Sequence, residues 1–182
     1  NLEMIEGLIK KDQLEINEIG DDGIVSKINI FNKGPSDLFI IDGEVIIGAK
    51  QNRITNSSFL IAPHSSTIIP VSCVEQNRWN YNTRNFSASD NIIFNKGRKE
   101  KFQDIHRNRG YQTDQSKVWS NISDKMSNLN ASNETSSMHR VYENKKEQLD
   151  DYVSKFQAQQ NDIGIIYAIG NKIEGVDIFH GS

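Results

Sequence analysis

Polar side chains capable of chemistry interrupt apolar, strand-like runs at two places in this sequence, where a simple turn would need only Gly, Asn or Asp. The first is Asp42-Gly43-Glu44, followed by Gly48 and Lys50-Gln51-Asn52-Arg53; the second is Pro70-Val71-Ser72-Cys73-Val74-Glu75 with Arg78-Trp79. Arg53 and Arg78 could fork onto a phosphate or carboxylate, Glu44 and Glu75 could hold ribose hydroxyls or transfer protons, and the Trp79 indole could stack on a base. Lys50, Gln51 and Asn52 complete the candidate binding set. Cys73 is a candidate nucleophile, because a thiolate beside a cation is reactive, although its neighbours supply no base and a buried free cysteine is ordinary. The same residues also have a purely structural reading. Gln51, Asn52 and Arg53 could satisfy backbone groups at a strand break, Glu44 or Glu75 could pair with Arg53 or Arg78, and Trp79 could close the core.

Other chemistries find little support. No Walker A, G-x-G-x-x-G, H-E-x-x-H, G-x-S-x-G or EF-hand pattern occurs. His64, His106, His139 and His180 are far apart, and one cysteine gives no ligand-spaced pair, so no metal site is expected and no cofactor is indicated. The basic stretch from Lys96 to Arg109 carries Phe102 and ends near Tyr111, a combination that suits a nucleic-acid groove. Glu100 and Asp104 dilute it, the chain carries a net charge of −3, and a solvated charged loop is the better reading. The apolar runs are short pieces such as Leu38-Phe39-Ile40-Ile41, far short of the roughly 20 residues that span a bilayer. With no basic-then-apolar leader either, a cytoplasmic protein is expected. The 182 residues suit a single domain over 1–182, and the abrupt ends at Asn1 and Ser182 read as an excerpt or a truncated C-terminus. An abundance of Ile, Asn and Lys is that of an AT-rich, bacterial-like genome.

The elements that must position these side chains follow from periodicity. Between Gly23 and Val74, short β-branched runs alternate with turns: Ile28 and Ile30 share one strand face, Leu38 to Ile41 and Glu44 to Ile47 flank Asp42-Gly43 as a type I′ hairpin, and Ser58 to Ile61 with Thr67 to Val71 make another. An antiparallel meander of about five or six strands is expected. From 77 to 114 the pattern fails, and a long loop region is expected. Val118, Ile122, Met126 and Leu129 then recur at helical spacing, and Met138, Val141, Tyr142, Leu149, Tyr152, Val153 and Phe156 continue an apolar face as two helices or one bent one. Ile163 to Ala168 and Ile173 to Phe179 around Gly170-Asn171 form a closing hairpin. Strands, then two helical segments, then strands give an α+β fold with an antiparallel β-rich N-terminal half and a C-terminal β-hairpin.

Taken together, Asp42-Gly43-Glu44, Gly48 to Arg53, Pro70 to Glu75 with Arg78-Trp79, and Gln115 with Val118-Trp119 resemble the domain family named for association with ADP-ribosylglycohydrolases and rhodanese-like phosphatases. The resemblance continues through Tyr142, Leu149, Tyr152, Phe156 and the Gly164 to Phe179 hairpin, and so runs from about Gly23 to the end. Ala49 stands where the family pattern suggests a second glycine, and Gln76-Asn77 where it suggests an acidic or glycine residue. The family name records neighbours rather than a reaction, so what the resemblance implies is a ligand class. It points to a nucleotide, NAD-derived or ADP-ribose-like small molecule at the Glu44, Lys50 to Arg53, Cys73 and Glu75 to Trp79 cluster. Whether that molecule would be bound or acted upon stays open, as does the alternative, a non-catalytic protein-interaction or structural module in which the cluster is a buried polar network.

Overall fold

Period-two alternation decides most of the first unit, Asn1–Glu143, of the computed structural model, which describes residues 1–179. Its elements are β1 (Leu2–Met4), α1 (Ile5–Lys10), β2 (Leu14–Asn17), β3 (Lys27–Asn32), β4 (Asp37–Ile40), β5 (Glu44–Gly48), β6 (Arg53–Thr55), β7 (Phe59–Ile61), β8 (Ser65–Cys73), β9 (Phe86–Ile92), α2 (Asn95–Asn108), α3 (Gln115–Asn128) and α4 (Met138–Asn144). Six strands pair in the order β2-β3-β8-β6-β5-β9, every neighbour antiparallel. A second sheet runs β1-β4-β7, with β1 parallel and β7 antiparallel to β4.

The two faces of the large sheet serve two cores. Ile28, Ile30, Ile46, Ile69 and Val71 join Ile5 and Leu8 of α1 and Leu38, Ile40 and Ile61 of the small sheet. Residues of the opposite parity, Val45 and Ile54, join Val118, Ile122 and Met126 of α3 and Met138 and Val141 of α4. The α3 stripe is the one that its spacing predicts, and Asp114 caps the helix by accepting from the Ser116 and Lys117 N–H groups. The fold is α+β, as expected.

Several expected local pairings are replaced. Leu38 to Ile41 and Glu44 to Ile47 do not form a hairpin, since β4 pairs with β1 and β7 while β5 pairs with β6 and β9. A type I′ turn needs positive φ at both central residues, and here only Gly43 has it, at 80°. The turn, closed by the Glu44 N–H on the Ile41 carbonyl at 3.2 Å, instead carries the chain from one sheet into the other. Likewise β7 joins β4, and β8 lies between β3 and β6, so those two runs are not partners either.

The 77–114 stretch is not one long loop, because it contains β9 and the 14-residue α2. The face that α2 buries is Gly97, Lys101 and Asp104, so no apolar stripe announced it. Its Lys, Arg, Glu and Gln residues are nonetheless good helix formers.

The second unit, Asn144–Ser182, contains α5 (Lys146–Val153), β10 (Gly164–Ile169) and β11 (Lys172–Ile178). β10 and β11 form the expected hairpin, with a register shift at Tyr167/Ala168. The apolar face anticipated over Leu149, Tyr152, Val153 and Phe156 is exposed, and α5 buries no residue. Among the described residues no helix is long and apolar enough to cross a membrane.

Candidate functional site

The register of three neighbouring strands sets the centre of the cluster. Arg53 on β6 lies directly opposite Ile46 on β5 and Cys73 on β8, so a guanidinium stands on the core face that Ile46 and Val71 line. Its side chain has 0% exposure. Nη1 donates to the Gln51 carbonyl at 3.0 Å and to Gln51 Oε1 at 3.1 Å. Nη2 lies 3.5 Å from Glu18 Oε1. Arg53 Nε and Nη2 and Glu18 Oε2 have no hydrogen-bond partner among the described residues. Burial pushes the Arg53 guanidinium down from its ordinary value, while Cys73, Glu18 and Glu75 pull it back up.

Around this centre the turn between β5 and β6 is braced by mutual hydrogen bonds. Asn52 Oδ1 accepts from the Gly48 N–H at 2.9 Å and from Arg78 Nη2 at 3.3 Å, while its Nδ2 donates to Ser137 Oγ at 3.3 Å. Glu75 Oε2 accepts from Arg78 Nη2 at 2.6 Å and from the Asn52 N–H at 3.2 Å. Gln51 Nε2 donates to the Glu75 carbonyl at 2.9 Å. Arg78 Nη1 donates to the Ala49 carbonyl at 2.6 Å, at a residue whose φ of 41° is left-handed. Burial raises the Glu75 carboxyl, but hydrogen bonds from Arg78 and Thr135, the Arg78 charge and the Asn52 N–H outweigh it, and the group sits below the ordinary carboxylate value.

An aromatic cover lies over Arg53. The Trp79 ring centre is 5.5 Å from Arg53 Cζ, and Lys50 Nζ sits 5.4 Å from the same ring and 5.0 Å from that of Tyr81. Trp79 is itself 40% exposed, so the cover is held largely by these cation–π contacts. Lys50 is tied down by donating to the Asp22 carbonyl at 2.9 Å.

Cys73 is buried, with its N–H on Gln115 Oε1 at 2.8 Å and its carbonyl receiving Gln115 Nε2 at 2.9 Å. Burial pushes the thiol up, against the opposing influence of the Glu75 backbone, Arg53 and Trp119.

The structure thus gathers Lys50, Gln51, Asn52, Arg53, Cys73, Glu75, Arg78 and Trp79, and leaves Glu44 out. Glu44 stands at the other end of β5, accepting from the Ile41 N–H at 3.1 Å and donating its own N–H to Thr55 Oγ1 at 3.1 Å. Burial there pushes its carboxyl up to about 7. On the same turn, Asp42 pairs with Arg98 at 3.3 Å and with Lys101, a buried lysine that also donates to the Asn56 carbonyl at 2.9 Å. Desolvation lowers the Lys101 ammonium. The basic stretch read as a solvated loop therefore contributes an internal charge pair.

Sequence reasoning missed Glu18 and Lys101. The signal for Glu18 was parity: Leu14 and Ile16 are buried on β2, and residue 18 continues that face. For Lys101 it was the helical spacing Gly97, Lys101, Asp104.

Glu18 also borders a groove of about 880 Å³ together with Glu15, Asp21, Tyr81, Thr83 and Arg84. A second cavity of about 500 Å³ lies against Trp119, Ile122, Met126 and neutral Ser and Asn side chains. Among the described residues no group of His, Cys, Asp and Glu is placed to hold a metal ion; His180 lies outside them.

No curated protein and no solved structure matches the chain. One family model matches residues 2–182; the chain belongs to the ARPP-1 family, the ARG and Rhodanese-Phosphatase-superfamily-associated Protein domain.

Proposed function

We propose that the first unit binds a small anionic molecule of the nucleotide, NAD-derived or ADP-ribose-like class at Arg53, beneath Trp79. The observation that carries this reading is the Arg53 side chain itself, with 0% exposure and two nitrogens, Nε and Nη2, that lack hydrogen-bond partners among the described residues. A buried donor left unpaired costs about 1–3 kcal/mol, more when charged, and a bound anion offsets that cost with charge-assisted hydrogen bonds. Trp79, partly exposed and held by cation–π contacts, is the element that must move for the ligand to enter, and its ring then offers a stacking face for a base. Asn52, Glu75 and Arg78 hold the turn that presents Arg53, and act as positioning residues. The reading is of binding, since Cys73 is buried with its backbone held by Gln115, and Glu75 is committed to Arg78 and Asn52.

A second reading is favoured by the density of that pairing. Gln51, Asn52, Glu75 and Arg78 satisfy one another so fully that the cluster would serve as a buried polar network in a non-catalytic, protein-interaction or structural module. Thermal unfolding with ADP-ribose, NAD and mononucleotides separates the two. At ~100 times its dissociation constant a ligand is expected to add about 2.7 kcal/mol to the wild type, and Trp79→Ala, at an exposed position, is expected to stay folded and lose most of that gain. A cooperatively unfolding wild type that none of these molecules stabilises removes the ligand reading in favour of the network.

A further inference from the structure

Beside the Arg53 guanidinium lies a buried carboxylate oxygen, Glu18 Oε2, without a hydrogen-bond partner among the described residues. Glu18 Oε1 takes the Lys50 N–H at 3.3 Å and faces Arg53 Nη2 at 3.5 Å, while Glu18 Oε2 has no partner among the described residues, on a side chain with 2% exposure. Gly23 packs beside it: a Cβ there would lie 3.1 Å from Glu18 Oε2 and 3.4 Å from Trp79 Cζ2, so the missing side chain is what lets this backbone approach both groups so closely. Unpaired donors on Arg53 and an unpaired acceptor on Glu18 thus lie next to each other under one aromatic cover.

We infer that Glu18 is a specificity residue, and that the ligand is an anion carrying a hydrogen-bond donor, a hydroxyl or an amine, beside its acidic group. The inference rests on reading Arg53 as an anion site and adds what that anion must be attached to. A bare anion on Arg53 would face the Glu18 carboxylate at close range, and like charges at that separation repel. A ligand hydroxyl turns the same contact into a hydrogen bond to Oε2. A site that buries a polar group for a particular partner rejects an analogue lacking that partner, because the protein group is then left unpaired. Glu18 also borders the groove with Glu15, Asp21, Tyr81 and Thr83, in which Arg84 is the one cation among the lining residues.

Matched pairs of small probes test this on the full chain by isothermal titration: glycerol 3-phosphate against propyl phosphate, and glycerate against propionate, each pair alike in carbon count and acidic group but differing in hydroxyls. In the wild type the hydroxylated member of the pair that binds is expected to bind at least about tenfold more tightly, and Glu18→Gln is expected to shrink the ratio to within about threefold by improving the unhydroxylated probe. Equal binding of both members to the wild type overturns the role of Glu18 while leaving the anion site standing. A ratio that survives in Glu18→Gln does the same. If none of the four binds a folded wild type that ADP-ribose, NAD or a mononucleotide stabilises, the role of Glu18 falls and the anion site stands; if those molecules fail as well, the anion reading fails and this inference with it. The wild-type comparison decides the matter even where Glu18→Gln does not fold.

Discussion

The six-stranded sheet of the first unit and the β10–β11 hairpin of the second are built from the same residue types and end in opposite states. In the sheet, Ile46 has 0% exposure; in the hairpin Ile166 has 62%, and Ile165, Ile169, Ile173 and Ile178 are exposed as well. Both obey the period-two rule, but the sheet has a layer on each face, namely the small sheet with α1 on one side and α3 with α4 on the other. Within its own unit the hairpin has α5, which buries nothing. A two-stranded hairpin is at best marginally stable alone, because neither face is covered. Alternation therefore specifies which side chains share a face, and a second layer decides whether that face becomes a core.

The contrast can be broken or sharpened by substitution. Ile46→Ala is expected to cost the first unit about 2–5 kcal/mol, read as a fall in the midpoint of chemical denaturation, since it opens a cavity between two covered layers. An unchanged midpoint would mean that this face is not packed as described. Next in size is a pH effect at the start of β5 in the same sheet. Glu44 titrates at about 7 in the folded protein against 4.5 when unperturbed. A raised carboxyl favours folding fully below its unfolded value, and that contribution is lost as pH rises through the folded one. Stability is therefore expected to fall between about pH 5 and pH 8 by up to about 3 kcal/mol, and Glu44→Gln to recover most of it at pH 8 while changing little at pH 5. Parallel curves for the two proteins across that range would remove Glu44 as the cause. The smallest effect belongs to the hairpin, where Ile166→Ala is expected to shift stability by no more than about 0.5 kcal/mol. A larger loss would show that its apolar face is covered in solution.

How much could be read without coordinates follows the same division. Where an element buries apolar residues at its own period, as α3 does with Val118, Ile122 and Met126, the sequence declares it. The closing hairpin was equally plain, because Gly170-Asn171 separates two β-branched runs. Where apolar burial is sparse the signal fades: α2 hides behind Lys101 and Asp104, and the edge strand β9 offers the core only Phe86 and Ala88 among its Ser, Asp and Asn residues. Pairing between strands was the least legible, because Asp42-Gly43 specifies a change of direction and long-range packing chooses the partner. In the site, the grouping of Gln51 to Arg53 with Glu75 to Trp79 was legible from their interruption of apolar runs. Glu18 was not, because its importance comes from its unpaired Oε2 beside the unpaired Nε and Nη2 of Arg53, which only the assembled strands reveal.

The Lys101–Asp42 pair has a consequence for the order in which the chain folds. The two residues are 59 positions apart, and desolvating an ammonium before its carboxylate is in place is strongly unfavourable. Docking of α2 onto the sheet is therefore expected to wait until the turn at Asp42 has formed. Lys101→Met should then speed or slow unfolding while leaving the folding rate nearly constant, and stopped-flow rates that change mainly on the folding side would place the docking of α2 early instead.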